Sequence, residues 1–326
     1  MKKLCINILL LIILCSCGAG KDASNGIVLV PTFNYMPGNK TATYVSIGGG
    51  ESIIAEIDTG SEMTVVNESY VGNNIVKTTE SLTIVYGGGT NTVSGYIAYG
   101  TVEFNTSDGG KLRTSSNTPI LVVESGDVNQ GGGNNAILGM RMNNQISSRL
   151  FLPYPYNQMM VLNRSKNFIV FGNLNQNQLS NFAMISQTKS LCQNLIYLVS
   201  TANNLCWIPE SSTTTYTYSL PSGGSGESNY TTLFDSGEAH GNIYITPMPF
   251  WIESNNHGVV ENQISAVLNT SKGPLPMPMT IPMQYKTSLT PPGIINPGNL
   301  IFNKYQILFD QNNGMIGFAE SMENWL

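Results

Sequence analysis

Two short turns of the same composition place the strongest constraint on the fold of this chain. In "AEIDTGSEMTVV" apolar residues lead into Asp58-Thr59-Gly60, and in "TTLFDSGEAHGNIYI" they lead into Asp235-Ser236-Gly237. The separation is 235 − 58 = 177 residues, about the length of one domain. An ionised carboxylate between apolar strands is costly unless it is hydrogen-bonded or paired. The repetition predicts two related lobes that each contribute one turn; the alternative is a pair of aspartates that merely cap loops.

The remaining sequence indicates an all-β fold. β-Branched and aromatic segments alternate with clusters of Gly, Asn, Pro and Ser, as in "TIVYGGG", "GYIAYGTVEF", "PILVVES" and "NFIVFGN". The 326 residues include 33 glycines and 16 prolines, and only 11% of them are charged. A net charge of −5 leaves no basic stripe for phosphates, so we expect no nucleic-acid partner.

The order of these segments resembles that of the pepsin-like aspartic proteases. "SLTIVYGGGTNTVSGYIAYGTVEF" is similar to the flap hairpin of that family, with Tyr86, Gly87 and Gly88 at the flap. "NNAILGM" is similar to the segment that crosses behind the first active-site loop, and "FDQNNGMIGFAE" to the last strands. The resemblance covers most of residues 40–320. It implies two related β-barrel-like lobes, at residues 28–180 and 181–326, with the active-site cleft between them.

The resemblance also implies an aspartic endopeptidase whose catalytic residues are Asp58 and Asp235. Two carboxyl groups about 3 Å apart cannot both ionise cheaply, and aspartic proteases are the standard example of such a pair. One carboxyl group then activates water while the other protonates the carbonyl group of a peptide or unfolded protein substrate. The two hydroxyl residues are expected to hydrogen-bond across to the opposite loop. The residues that support the pair are Thr59, Gly60, Ser61, Ser236 and Gly237.

Three departures from the family pattern keep a second reading open. Glu238 stands where a hydroxyl residue usually follows the second turn, so that support is lost. The alternatives are that the carboxyl group of Glu238 approaches the pair or that it swings away. Val65 stands near the place of a usual tryptophan, and Asn296-Pro297-Gly298 replaces two hydrophobic residues and a glycine. A catalytically inactive module of the same fold that binds peptides or other polymers is therefore the alternative. An unrelated β-rich lipoprotein is a third hypothesis.

The N-terminal segment has the features of an export signal. Lys2 and Lys3 precede the apolar run "INILLLIILCSC", which is short for a membrane span. Its end resembles a bacterial lipobox, in which Cys17 is lipidated, although an ordinary signal peptide is the alternative. We expect residues 1–17 to be the signal peptide and residues 18–27 a flexible tether. The chain is then a monomeric exported lipoprotein, anchored to a lipid bilayer at the outer membrane or cell surface rather than the inner membrane.

Two cysteines remain after the leader. Cys192 and Cys206 are an even pair in an exported chain, which predicts a disulfide. A metal site is the alternative, but His240 and His257 are the two histidines of the chain, and neither has ligand spacing from the cysteines. We expect no metal and no cofactor.

Two further segments carry expectations about the second lobe. Residues 212–230, "STTTYTYSLPSGGSGESNY", are expected to be a strand followed by a flexible loop. The Pro- and Met-rich residues 271–293 cannot form a regular helix or a central strand, and an extended wall of the second lobe is expected there.

Overall fold

A computed structural model describes residues 26–35, 40–86, 91–128, 133–142, 151–191, 205–208, 212–252, 254–255, 258–261, 263–286 and 293–322. Several features of the sequence lie outside these residues. They are the signal peptide with Cys17, almost all of the predicted tether, Gly87, Gly88, Cys192 and His257.

The described residues are organised as 25 strands with three short helical turns. The first half contains β1 Ile27–Pro31, β2 Phe33–Tyr35, β3 Lys40–Ile47, β4 Ile53–Asp58, β5 Thr64–Asn67, β6 Ile75–Tyr86, β7 Asn91–Gly100, β8 Val102–Asn105, β9 Lys111–Arg113, β10 Thr118–Ser125, β11 Ala136–Gly139, β12 Met159–Asn163 and β13 Phe168–Gly172. The second half contains β14 Ala183–Ser186, β15 Thr188–Leu191, β16 Leu205–Ile208, β17 Thr213–Ser219, β18 Ser225–Thr232, β19 Asn242–Tyr244, β20 Gln263–Thr270, β21 Gly273–Met277, β22 Gln284–Lys286, β23 Ile294–Asn296, β24 Tyr305–Asp310 and β25 Met315–Glu320. The helical turns are a 3₁₀ turn at Glu68–Tyr70, α1 at Gln176–Leu179 and α2 at Ile301–Lys304. The prediction of an all-β fold is confirmed.

The first half forms a ten-stranded sheet in the order β6-β7-β10-β5-β11-β4-β3-β8-β9, with β2 paired to β3. Its central strands are apolar because neighbouring strands and the packed face of the sheet shield them from water. Ile57, Val66, Ile120 and Leu138 are among the buried residues of its core. The predicted flap hairpin is β6–β7, in which Tyr86 pairs with Asn91 across the tip.

The second half forms a seven-stranded sheet in the order β21-β20-β17-β18-β23-β19-β22. Residues 225–232 are the strand β18, so the expectation of a flexible loop there is wrong. Its small polar residues are held by pairing with β17 along the whole strand and with β23 at one end. The Pro- and Met-rich segment supplies β21 and β22, the two edge strands. Proline is tolerated in an edge strand because one side of that strand has no neighbour, so the missing N–H need not interrupt the hydrogen-bond ladder.

A six-stranded sheet joins the two halves in the order β1-β13-β12-β24-β25-β14. Three strands come from each half, and β12 pairs antiparallel with β24 at the junction, where Val161 lies opposite Leu308. The first strand begins at Ile27, the last residue of the predicted tether, because Ile27 pairs with Gly172. This sheet fixes the position of one half relative to the other. Within the described residues, no helix is long and apolar enough to cross a membrane.

Candidate active site

The first Asp-hydroxyl-Gly turn begins where the central strand β4 ends, at Asp58. Strand β11 runs parallel to β4 and places Gly139 opposite Asp58, and the N–H of Met140 donates to the Asp58 carbonyl at 2.8 Å. A Cβ on Gly139 would collide with the backbone of Met63. The crossing strand therefore needs glycine at this position to pack behind the turn.

The two turns are locked together by reciprocal hydrogen bonds. The N–H of Thr59 donates to Ser236 Oγ at 3.1 Å, and the N–H of Ser236 donates to Thr59 Oγ1 at 3.0 Å. The Thr59 hydroxyl donates in turn to the Phe234 carbonyl at 2.8 Å, and the Ser236 hydroxyl to the Ile57 carbonyl at 2.7 Å. All four bonds are buried. The relative position of the turns is therefore set by a closed network that leaves no hydroxyl of the pair unused.

This lock brings the two carboxyl groups into contact. The two carboxyl groups lie close enough for an interaction between their side chains to be one of the causes that raise the pKa of Asp235. A Cβ on Gly60 would lie within 2.7 Å of the Asp235 carboxyl group, and a Cβ on Gly237 within 2.9 Å of the Asp58 carboxyl group. Each glycine is thus required because the opposite aspartate occupies the space of a side chain.

The carboxyl group of Asp58 is supported from its own turn. Its Oδ1 accepts hydrogen bonds from the N–H groups of Gly60 at 2.8 Å and Ser61 at 2.9 Å. Its Oδ2 accepts a hydrogen bond from the Ser61 hydroxyl at 2.5 Å. Both oxygens of Asp58 are held by the first turn, so the carboxyl group has a single orientation.

The carboxyl group of Asp235 is supported differently. Its Oδ1 accepts a hydrogen bond from the N–H of Gly237 at 2.8 Å, just as Asp58 Oδ1 accepts one from the N–H of Gly60. Its Oδ2 accepts from Asn296 Nδ2 at 3.0 Å. Glu238, which stands at the place of Ser61, turns back on its own loop, where Oε1 accepts from the N–H of His240 at 3.3 Å. The sequence gives no local indication of the Asn296 contact, because the partners are 61 residues apart.

The electrostatics of the pair favour one shared proton. Burial is the main reason that the pKa of Asp235 lies well above its usual range. The charges of Asp58 and then Glu238 raise this pKa further, while the Gly237 N–H opposes the rise. Because the two carboxyl groups are coupled, the proton belongs to the pair. Asp235 is the member whose surroundings favour keeping it.

Tyr86 is the last residue of β6 and lies close to the pair. Its ring packs on an apolar cluster that includes Met63 and Val65, and its hydroxyl lies near the Ser61 side chain. Burial, followed by the charge of Asp58, raises the pKa of Tyr86. Val65, which stands near the place of tryptophan in the pepsin-like pattern, is fully buried and offers no polar side chain there. The tyrosine is therefore connected to the pair through Ser61, and the tip with Gly87 and Gly88 lies outside the described residues.

A second buried polar cluster lies two residues before Asp58 and was not predicted. Glu56 Oε1 is 2.8 Å from Lys40 Nζ, and the Tyr35 hydroxyl donates to Glu56 Oε2 at 2.9 Å. Burial raises the pKa of Glu56 to about 7 despite the opposing charge of Lys40. The charges of Asp58 and Asp235 also act on Lys40, so the cluster is electrostatically connected to the pair.

The remaining predicted site residues concern cysteine and metal. Cys206 is buried in β16, but Cys192 lies outside the described residues, so the disulfide stays a prediction. Across the part of the chain that the structure describes, no group of three or more His, Cys, Asp or Glu side chains is arranged to hold a metal ion.

Two β lobes joined by a shared sheet, each delivering one aspartate turn to the other, define the bilobal pepsin-like acid protease fold. Solved structures with this fold are similar to the chain over most of its length. An aspartic proteinase from Irpex lacteus matches with a TM-score of 0.58 at 13% identity, over 91% of this chain and 98% of that one. Basic 7S globulin from soybean matches with a TM-score of 0.56 at 11% identity, over 90% and 95%. No protein-family model and no curated protein sequence matches the chain. At these identities the likeness shows the fold alone.

Proposed function

We propose that the protein is an aspartic endopeptidase that hydrolyses peptide bonds with water activated between Asp58 and Asp235. The observation that carries this proposal is the close approach of two carboxyl groups from different lobes, each of which lies against the glycine of the opposite turn. The pKa of one of them, Asp235, is strongly raised. A surface pair of aspartates has no reason to approach so closely, because their charges repel. The cost is offset when the pair holds one proton and uses it in the reaction.

The proposed chemistry assigns a role to each carboxyl group. Asp58, which accepts three hydrogen bonds from its turn, takes a proton from the attacking water. Asp235, whose environment favours its neutral form, donates a proton to the carbonyl oxygen of the peptide. The resulting gem-diol collapses when a proton reaches the leaving nitrogen. The Thr59–Ser236 lock keeps the two carboxyl groups in place during these transfers.

The flap is proposed to cover the substrate. Tyr86 borders the pair through Ser61, and the hairpin β6–β7 carries the tyrosine at its tip. Closure of this hairpin over the pair would exclude bulk water from the cleft. The substrate class is an extended peptide or an unfolded protein, since both lobes must contact the chain that is cut.

The test is cleavage of an unfolded protein, such as denatured casein, across acid to neutral buffers. Asp58→Asn and Asp235→Asn should each lower kcat/KM by about 10²–10⁴-fold or more, because each removes one proton-transfer group. Pepstatin should inhibit the wild-type chain. Asp108→Asn, in an exposed turn of the first lobe, is the matched control and should retain full activity. Undiminished cleavage by both dyad variants would refute the proposal.

Glu238 is the observation that favours a second function, a catalytically inactive module that binds peptides or other polymers. Its charge raises the pKa of Asp235 and brings a third carboxyl group to the site. This second function would be supported if the wild-type chain binds peptides but cuts no substrate. The binding should then survive the substitution Asp235→Asn.

We also propose that the chain is exported and held at a membrane surface by a lipid on Cys17, and that it acts there as a monomer. The N-terminal lipobox-like sequence supports this location, and the predicted Cys192–Cys206 disulfide would fit an oxidising compartment. Cys17→Ser should move the protein from the membrane fraction to the soluble fraction of cells. Unchanged fractionation, or labelled fatty acid that persists on the variant, would contradict the anchor.

A further inference from the structure

We propose that Asn296 is a positioning residue that replaces the missing hydroxyl of the second turn and directs the carboxyl group of Asp235. This inference rests on the proposed function. It concerns a residue that the sequence shows only as a departure from an apolar pattern.

The strand registers establish which residues of the two lobes correspond. In the first lobe, Ala136 on the crossing strand β11 lies opposite Ala55 on β4. In the second lobe, Ile295 on the crossing strand β23 lies opposite Thr232 on β18. Ala55 and Thr232 are 232 − 55 = 177 residues apart, the same offset that separates the two aspartates. Ile295 therefore takes the place of Ala136.

The other neighbour of each crossing strand gives the same result. In the first lobe Ala136 lies opposite Val66, and in the second lobe Ile295 lies opposite Ile243. Val66 and Ile243 are 243 − 66 = 177 residues apart. One residue further along, Asn296 thus occupies the place of Ile137.

The two corresponding side chains do different things. Ile137 packs in the apolar cluster on which Tyr86 also packs. Asn296 instead carries a buried amide, with 2% of the residue exposed, whose Nδ2 donates to Asp235 Oδ2 at 3.0 Å. The Gly298 N–H donates to Asn296 Oδ1 at 2.9 Å. Because the amide oxygen is held by a donor, the nitrogen is the end that faces the aspartate.

The exchange has a chemical consequence at the pair. A hydroxyl such as that of Ser61 can donate or accept, whereas an amide N–H only donates. Donation from Asn296 therefore favours the ionised form of Asp235 and disfavours a proton on Oδ2. Asn296 also frees position 238, so that Glu238 turns to its own loop without leaving Oδ2 of Asp235 unsupported.

The first test is Asn296→Ala in the full chain, assayed on an unfolded protein. Loss of the donor should lower kcat by about 10- to 100-fold with little change in KM, because the donor acts on the reacting group and not on the substrate. The high-pH limb of kcat/KM should move to higher pH, since the ionised form of Asp235 loses a hydrogen bond. The titratable groups around Asp235 stay the same in this variant, namely Asp58, Glu238, Tyr244 and Lys40.

The second test is rescue. Glu238→Ser in the Asn296→Ala chain returns a hydroxyl to the position that Ser61 has in the first turn, and it should restore most of the lost kcat. Asn163→Ala is the matched control, because Asn163 is a fully buried asparagine of the six-stranded sheet whose Nδ2 donates to Gln306 Oε1 at 3.0 Å. It should cost stability and leave the pH profile in place.

Two results would overturn the inference. One is an Asn296→Ala chain with the kcat and pH profile of the wild type. The other is a loss of kcat that Glu238→Ser does not restore.

If the wild-type chain cuts nothing, the proposed function fails, and the inference is decided by the unfolding free energy instead. The cost of Asn296→Ala should then grow as pH rises through the titration of the pair, because Asn296 stabilises the ionised form of Asp235. A cost that is the same at all pH values would overturn the inference.

Discussion

At the scale of single residues, Glu238 puts a charge beside the carboxyl group whose protonation the proposed chemistry uses. Its charge is one of the causes that raise the pKa of Asp235, after burial and Asp58. Glu238→Gln should therefore lower the pKa of Asp235 and shift the high-pH limb of kcat/KM to lower pH. The measurement is a pH profile of wild type and variant on one peptide substrate.

The control for this substitution lies in the same lobe. Glu227→Gln makes the same chemical change on an exposed residue of β18 and should leave the profile unmoved. A high-pH limb that stays in place in Glu238→Gln, or that moves equally in both variants, would contradict the assigned effect of Glu238.

Glu56 gives a second prediction at the residue scale, this time about stability. Its pKa in the folded protein is raised from 4.5 to about 7, so the folded state holds a proton that the unfolded state releases in this interval. The contribution of Glu56 to the free energy of unfolding should be greatest at low pH and decline as pH rises to about 7. The decline is on the order of 3 kcal/mol, since one pKa unit corresponds to about 1.4 kcal/mol.

Urea unfolding of wild type and Glu56→Gln at a series of pH values measures this decline. Above about pH 7 the variant should be less stable, because Lys40 loses its charged partner at 2.8 Å, and its dependence on pH between 4.5 and 7 should be weaker. Glu103→Gln is the control, because Lys111 and Arg113 lower the pKa of that carboxyl group. Equal slopes for wild type and Glu56→Gln would show that Glu56 does not titrate near neutrality.

The residues of the candidate site were predictable from sequence to different degrees. The two turns could be recognised from sequence because each is a short local motif and both have the same composition. Asn296 and the Lys40–Glu56–Tyr35 cluster could not be recognised, because their contacts join distant parts of the chain. One signal was present: Glu238 and Asn296 both depart from the family pattern in the same lobe. The proposed replacement of the missing hydroxyl by Asn296 would account for both departures.

At the scale of elements, the two turns behave as one unit because each hydroxyl serves the backbone of the other turn. Thr59→Val keeps the shape of the side chain but leaves the N–H of Ser236 and the carbonyl of Phe234 without their partners. We expect a loss of about 1–3 kcal/mol in the free energy of unfolding. We also expect a lower kcat with little change in KM, because the carboxyl groups lose their fixed separation.

A double-mutant cycle tests the unit. Ser236→Ala should cost a similar amount, and the double variant should cost less than the sum, because both substitutions break one network. Thr83→Val is the control, since its hydroxyl lies 2.8 Å from that of Ser94 in an exposed pair on the flap hairpin. Strict additivity would mean that the two turns do not act as a unit.

The elements themselves were well predicted where the pattern is apolar. The hairpin β6–β7, the crossing strand β11 and the closing strands β24 and β25 all follow segments rich in Val, Ile and Phe. Strand β18 was missed because "SGESNYTT" contains few residues that favour strands. Its pairing with β17 and β23 supplies what its own sequence lacks, and this pairing is a property of the assembled sheet.

At the scale of the whole molecule, the six-stranded sheet makes the two lobes depend on each other. Its core contains residues of both halves, including Val161 and Phe182 on either side of the boundary and Leu308 near the end. The aspartates can meet only if this sheet holds the lobes in register. The site and the junction between the lobes are therefore coupled parts of one structure.

The dependence of the lobes predicts how the chain behaves when it is divided. Residues 1–180 and 181–326, expressed separately, should be insoluble or lack a cooperative unfolding transition, because β12 and β24 would each expose a buried edge. Expressed together, they should associate through that pairing and recover the proteolytic activity proposed for the intact chain. Asp235→Asn in the second fragment is the control and should abolish this activity without preventing association. A second fragment that unfolds cooperatively by itself would show that the shared sheet is not needed to fold the lobe.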